Sequence, residues 1–401
     1  MAGLADPPPH GGGFSRFLDT SNYQPCNTDA ACTAAGVKYL KAIGVLNAAG
    51  QPAGPRKSLD DWKAFVGFNA KVSVATAQAL YFNKYDLGFA RDANCVFREV
   101  GIKPAITTVA CYITNYSDAQ PGWPGGNPQK SILAAKNHTS PLFTVTMETH
   151  FITGLGLPPA GRPQVTFLAY GPTGAPIPAM TFDREGLKPL PGVCVSCHAD
   201  WFDSGSQTVS GGSFLPFDAS AYVFEESRQP ILGQPPIRGL AAPQHEAFRM
   251  LNWIVLQSQP VQPIKDLIAG WYKHCGGVEQ TNCTLDDNFV PSGNCAGSGN
   301  GLGETCGWTV ANDTLNIKAL YQQVIRPYCR NCHLVYYGAL NVQSYQAFHA
   351  RAQQVYDEVI GKLYNMPYAE VPYYLFWNNS PTSALSQQLK TYLNAVGATG
   401  P

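Results

Sequence analysis

The chain has 401 residues, which is enough for two or three domains with cores of their own. Its 27 basic and 27 acidic side chains balance. A surface without net charge does not favour nucleic acid or an anionic membrane as a partner. Residues 1–13 lack the basic start and apolar run of a signal peptide, and no stretch of about 18 apolar residues predicts a transmembrane helix.

The first predicted elements are an extended lead rich in Pro and Gly over residues 1–25 and short helices at 29–43 and 59–68. We expect Ser58 to cap the second helix, with Asp61 three residues further on.

From residue 72 to about 182 the sequence favours β-structure, because Val, Thr, Phe, Tyr and Ile dominate and clusters of Pro and Gly separate the runs. The predicted strands are 72–82, 106–116, 142–153 and 164–170. This pattern is typical of an antiparallel sheet or sandwich. Helical periodicity returns later, and it predicts helices at 246–257, 264–274, 315–324, 344–364 and 383–396.

The most specific pattern is a pentapeptide that occurs twice, as Cys194-Val195-Ser196-Cys197-His198 and Cys329-Arg330-Asn331-Cys332-His333. C-x-x-C-H is the attachment pattern of haem c, in which two thiols bind the porphyrin and the histidine coordinates the iron. We therefore expect two covalently bound haem c groups, with His198 and His333 as proximal iron ligands. Zinc binding by the cysteine pairs would leave the adjacent histidines unexplained.

These motifs define the predicted architecture. We expect an α+β protein in which an N-terminal antiparallel β-rich domain precedes mainly helical haem lobes with long, disulfide-stapled loops. The predicted divisions are an N-terminal extension (1–70), the β-rich domain (71–185), the first haem lobe with a Cys-rich loop (186–306) and the second haem lobe (307–401).

The other eight of the 12 cysteines form an even set, which is typical of structural disulfides in an oxidising compartment. Pairing between neighbours would join Cys26 to Cys32, Cys95 to Cys111, Cys275 to Cys283 and Cys295 to Cys306. Eight thiols allow about 105 connectivities, so this pairing is one hypothesis among many.

The second haem lobe resembles the class I cytochrome c domain. It has a helix, the motif ending in His333, a connecting loop, a helix, the dipeptide Met366-Pro367 and a terminal helix, in that order. The resemblance implies that Met366 is the distal iron ligand, because the methionine before a proline has this role in the family. His349, within the preceding predicted helix, is the rival ligand.

The distal ligand of the first haem is not marked by a motif. His245 begins the helix at 246–257, whose apolar side could form a wall for a porphyrin, and His150 lies on a predicted strand. We expect His245 as the first choice and His150 as the second, with Met180 and Met250 as further options. An open distal site would instead allow peroxide or another small ligand to bind.

These expectations favour an exported dihaem c-type cytochrome that carries electrons between redox partners. Those partners would be redox proteins or an extracellular electron donor or acceptor. The protein would lie in the periplasm or at the cell surface, its export signal outside this sequence, and could form a homo-oligomer or a surface assembly. The segments 86–91, 114–116 and 212–218 are similar to parts of exported bacterial cytochromes. The alternative is a dihaem peroxidase or oxygenase with an open site on the first haem.

Overall fold

A computed structural model describes residues 17–70, 74–101, 106–117, 127–152, 164–224, 244–291, 307–309, 313–335, 340, 342–361, 363–377 and 382–399. Within these ranges the architecture is α+β, as the sequence predicts. A six-stranded antiparallel sheet occupies the N-terminal half, and helices dominate the C-terminal part.

Two helices precede the sheet, α1 (Asp29–Ala42) and α2 (Leu59–Val66), and a 3₁₀ turn at Gly54–Arg56 lies between them. The Ser58 hydroxyl accepts a hydrogen bond from the Asp61 amide at 3.1 Å. This bond satisfies one of the free amides at the start of α2, so the predicted cap is confirmed.

The strands are β1 (Val74–Asn83), β2 (Ala90–Val100), β3 (Ile106–Tyr116), β4 (Phe143–Ile152), β5 (Val165–Tyr170), β6 (Ala179–Thr181), β7 (Leu187–Pro189), β8 (Trp201–Asp203), β9 (Thr208–Ser210) and β10 (Tyr222–Val223). The main sheet has the order β10-β1-β2-β3-β4-β5, and β6-β7 and β8-β9 form separate two-stranded sheets. Strand β2 was not predicted, because its charged and amide side chains do not suggest a buried strand. In the sheet these groups find partners: Asp92 accepts hydrogen bonds from Gln78 at 2.7 Å and from Asn94 at 2.8 Å.

The two faces of the main sheet have different coverings. Cys111, Met147 and Phe167 are direct cross-strand partners and therefore share one face. Helix α5 (Gln244–Gln257) packs on this face, where Trp253 meets Phe97 with ring centroids 5.4 Å apart. The opposite face carries α2 and α3 (Pro128–Lys136), an unpredicted helix.

The remaining helices are α4 (Gly192–His198), α6 (Gln262–Trp271), α7 (Ile317–Leu320), α8 (Arg326–Tyr328), α9 (Tyr345–His349), α10 (Ala352–Val355), α11 (Glu370–Trp377) and α12 (Ala384–Ala395). π-Helical turns at Tyr321–Ile325 and Tyr356–Ile360 continue α7 and α10. The predicted helix at 344–364 is thus divided, and α11 was missed because its aromatic run has no clear helical periodicity.

Buried apolar side chains form two clusters. The larger cluster joins the helices before the sheet, the sheet itself, α4, α5 and α6, so it runs across the predicted boundaries at residues 70 and 185. The smaller cluster lies mainly in the predicted second lobe, around Trp308, Phe348 and Leu393.

Cysteines outside the pentapeptides pair locally where the structure describes them. Cys26 and Cys32, Cys95 and Cys111, and Cys275 and Cys283 lie at disulfide distance, as the neighbour pairing predicts. Cys295 and Cys306 fall outside the described residues. Such pairs are compatible with an oxidising, non-cytosolic compartment. Among the described helices, none has the length and apolarity needed to cross a bilayer.

Candidate cofactor-binding site

The first pentapeptide forms the last turns of α4, and residues 17–24, here called the N-terminal strap, hold this helix in place. Gln24 accepts a hydrogen bond from the Gly192 amide at 2.8 Å, and the Tyr23 and Ser196 hydroxyls are 2.5 Å apart. A Cβ atom at position 192 would lie 2.5 Å from Gln24 Oε1, closer than side chains allow. Glycine therefore permits the strap to approach the motif.

His198 is held as a neutral imidazole with a defined orientation. Its Nδ1 lies 3.4 Å from the Ser213 carbonyl oxygen, which can only accept, so Nδ1 carries the proton and Nε2 has a free lone pair. Burial lowers the pKa of His198 to about 4, so its ring is uncharged at neutral pH. The Phe167 ring from β5 lies beside it, with centroids 5.9 Å apart.

The second pentapeptide follows α8 and is fixed by a buried ion pair. Arg330 pairs through Nη2 with Asp218, and through Nη1 it donates to the Tyr321 hydroxyl at 2.9 Å. The side chains of Arg330 and Asp218 are 1% and 2% exposed. Burial also lowers the pKa of His333 to about 4, which the nearby Leu340 carbonyl only partly opposes.

The four cysteines of the two motifs are free thiols, whereas the other described cysteines are paired. Burial raises the pKa of Cys194 and of Cys329 to about 12, so both are protonated. Cys197 Sγ lies 3.1 Å from Cys332 Sγ, although the two residues are 135 positions apart in sequence. This contact and burial raise the pKa of Cys197 well above its ordinary value. The two motifs therefore touch each other through one thiol each.

Each motif opens onto its own apolar cavity. The C-terminal cavity, about 260 Å³, is lined by Cys329, Cys332, His333 and Met366, with walls formed by aromatic and aliphatic side chains. Arg351 and Glu358 are among its polar lining groups.

The sheet cavity, about 160 Å³, is lined by Cys194, Cys197 and His198 and by the face of the sheet that carries Met147 and Phe167. Its lining also includes a connected polar group. Arg91 donates to Asp86 at 3.1 Å and to Asn115 at 3.2 Å, and Asn83 donates to Asp86 at 3.0 Å. Cys332 lines both cavities, so they meet where the motifs touch.

The structure brings some predicted ligands to these cavities but not others. Met366 lines the C-terminal cavity together with His333, while the rival His349 lies against Tyr345 and is not part of that lining. Neither His245 nor His150 lines the sheet cavity. His245 instead contacts Phe224, with ring centroids 5.2 Å apart.

His150 lies on the opposite face of the sheet from the cavity. Three positions separate it from Met147 on β4, and an odd separation puts two strand residues on opposite faces. There its ring contacts Thr108 at 2.9 Å and Phe65 at a centroid distance of 5.4 Å. Strand alternation could have shown from the sequence that Met147 and His150 lie on opposite faces, but only the fold decides which face meets the motif.

Comparison with protein-family models, curated proteins and solved structures gives no match. Functional assignment therefore depends on the residues of this chain. A group formed by His274, Cys275 and Cys283 is separate from both cavities, and its two cysteines lie at disulfide distance from each other.

Proposed function

We propose that this protein is an exported dihaem c-type cytochrome that carries electrons between redox partners outside the cytoplasm. One observation carries the proposal. Two C-x-x-C-H motifs, each with free thiols and a neutral buried histidine, line two adjoining apolar cavities and touch each other at 3.1 Å through Cys197 and Cys332.

The donor atoms fit haem c. Each cavity offers two thiols for thioether bonds and an uncharged imidazole for the iron, and the Ser213 carbonyl leaves Nε2 of His198 available as the ligand. A bound haem supplies one-electron exchange at its iron. Met366 offers a soft thioether on the wall of the C-terminal cavity, a ligand that favours reduced iron and raises the reduction potential.

The protein contributes burial and charge placement. The apolar walls would limit the access of water to a bound haem, which would favour its less charged redox state. Arg91, which also donates to Asp86 and Asn115, would place a positive charge beside a porphyrin in the sheet cavity, and Arg351 would do the same in the C-terminal cavity. The resemblance of the C-terminal lobe to a class I cytochrome c domain is supported by the succession of α8, His333, α9, Met366 and α12.

The contact between Cys197 and Cys332 favours electron transfer within the chain. A thioether bond attaches the porphyrin edge directly to sulfur, so two adjoining sulfur atoms would hold the edges of both cofactors next to each other. An electron accepted at one haem could then leave from the other. Redox proteins or an extracellular acceptor are the partners that this arrangement suits.

The first experiment measures covalent attachment. Protein produced with a c-type maturation system should have the mass of the chain plus two haems and keep its colour through acidified organic solvent. The variants Cys194→Ala/Cys197→Ala and Cys329→Ala/Cys332→Ala should each lose one haem. The matched control Cys26→Ala/Cys32→Ala should keep both, and a wild-type mass equal to that of the polypeptide would refute the proposal.

The second experiment distinguishes an electron carrier from an enzyme. Reductive titration should take up two electrons per chain, with both haems low-spin and no turnover of peroxide. A high-spin component, together with rapid oxidation by peroxide, would favour the peroxidase or oxygenase alternative.

A further inference from the structure

The sheet cavity contains a candidate ligand that no sequence motif marks. Met147 lies on β4 and is 8% exposed, and it lines the cavity together with Cys194, Cys197 and His198. Its direct cross-strand partner on β5 is Phe167, whose ring contacts the His198 imidazole. The Met147 side chain thus projects from the sheet toward the region that the motif faces.

Other potential ligands in this lining are already engaged or unsuitable. The Asp86 carboxylate accepts hydrogen bonds from Arg91 and Asn83, and Cys111 is paired with Cys95. Tyr81 and Tyr222 also line the cavity, but burial raises the pKa of both phenols and disfavours the phenolate that would bind iron. Met180 and Met250, the methionines considered from the sequence, are not part of the lining.

The two cavities then have the same set of donors. The C-terminal cavity combines the two thiols of its own motif with His333 and Met366, and the sheet cavity combines the two thiols of its own motif with His198 and Met147. The methionine of the C-terminal cavity belongs to a Met-Pro dipeptide of the helical lobe, whereas the methionine of the sheet cavity belongs to strand β4.

We propose that Met147 is the distal axial ligand of the haem attached at Cys194 and Cys197. This inference rests on the proposed dihaem function and deepens it, because a thioether at this position closes the first site to peroxide. Both haems would then have His/Met ligation and relatively high potentials, as suits a carrier that exchanges electrons with oxidising partners.

The test uses the holoprotein with both haems attached. Met147→Leu keeps the volume of the side chain but removes the sulfur. We expect one of the two haems to become high-spin, to bind one carbon monoxide per chain and to fall in potential, whereas the wild type binds none. Met180→Leu is the matched control, because Met180 is 3% exposed and lies outside both cavities. It should leave spectrum and potentials unchanged.

Two further variants make the result specific. Met147→His should restore a low-spin haem without carbon monoxide binding but with a potential below that of the wild type, and it also serves as the test if the leucine variant fails to fold. Met147→Leu/Met366→Ala should bind two carbon monoxide molecules per chain.

The outcomes separate the two proposals. If every variant keeps two haems by mass and the Met147 variants keep wild-type spectra, potentials and carbon monoxide uptake, Met147 is not a ligand but the proposed function stands. A wild type that carries no covalent haem would overturn both.

Discussion

The buried ion pair between Arg330 and Asp218 offers the sharpest test of how the second motif is held. Arg330 occupies the first variable position of this motif, and Asp218 follows the segment with β8 and β9 that leads from the first motif. Asp218→Asn changes one group: its Oδ1 can still accept the hydrogen bond from the Ser220 amide at 3.2 Å, but the oxygen that faces Arg330 is lost or replaced by a donor.

The expected cost follows from burial. Removing one partner of a buried ion pair leaves an uncompensated charge and costs about 3–5 kcal/mol. Arg330 would keep its hydrogen bond to Tyr321 and its position over the Trp271 ring, 5.4 Å from the centroid. We therefore expect the lower end of this range, about 3 kcal/mol of unfolding free energy.

Urea unfolding followed by circular dichroism measures this cost. Lys38→Gln is the control, because the Lys38 ammonium is exposed and donates to the Ser204 carbonyl at the surface, so the expected change is within about 0.5 kcal/mol. The double variant Arg330→Met/Asp218→Leu should be more stable than Asp218→Asn, because neither charge is then left alone in the core. An Asp218→Asn variant within about 0.5 kcal/mol of the wild type would refute the reasoning.

Three other predictions follow from the contacts described above. If both haems are attached as proposed, Met366→Ala should lower the potential of one of them and open one site to carbon monoxide, measured by redox titration and absorption, while Met250→Leu should do neither. Replacing Cys95 and Cys111 by Ala removes a bridge between residues 16 positions apart and should cost about 3 kcal/mol in thermal or urea unfolding; no loss would contradict the paired state. Burial raises the pKa of Glu148, but His150 and Arg56 outweigh it and hold the pKa below its ordinary value. This carboxylate therefore stabilises the fold above about pH 4.5, and the contribution is lost as the pH falls through the lower folded pKa. Between pH 6 and pH 3 the wild type should lose more unfolding free energy than Glu148→Gln, and equal losses would contradict this assignment.

Sequence patterns predicted those elements that are determined by residues close to one another in the chain. The cap at Ser58, the alternation in β3 and β4 and the amphipathic periodicity of α5 and α12 each arise within a short stretch of sequence. Strand β2 was missed because Arg91 and Asp92 look like surface residues until strands far along the chain, or the loop at Asp86, provide their partners.

The same limit applies to the candidate site, because part of it depends on contacts between residues far apart in the chain. Both pentapeptides and Met366 could be found from sequence, because spacing and a Met-Pro dipeptide mark them. Met147 could not, because its place depends on the register of β4 with β5 and on which face of the sheet meets α4. His150 has the more familiar ligand chemistry, but strand geometry turns it to the other face.

The meeting of Cys197 and Cys332 also bears on how such a protein could be assembled. A bond between these two sulfur atoms would take one attachment point from each motif at once. In that oxidised form each motif would keep only one free thiol, so neither could attach its porphyrin through two thioether bonds. If the two cofactors are added as proposed, a reductant must keep this pair open during biogenesis, or ligation must come before the halves of the molecule close on each other.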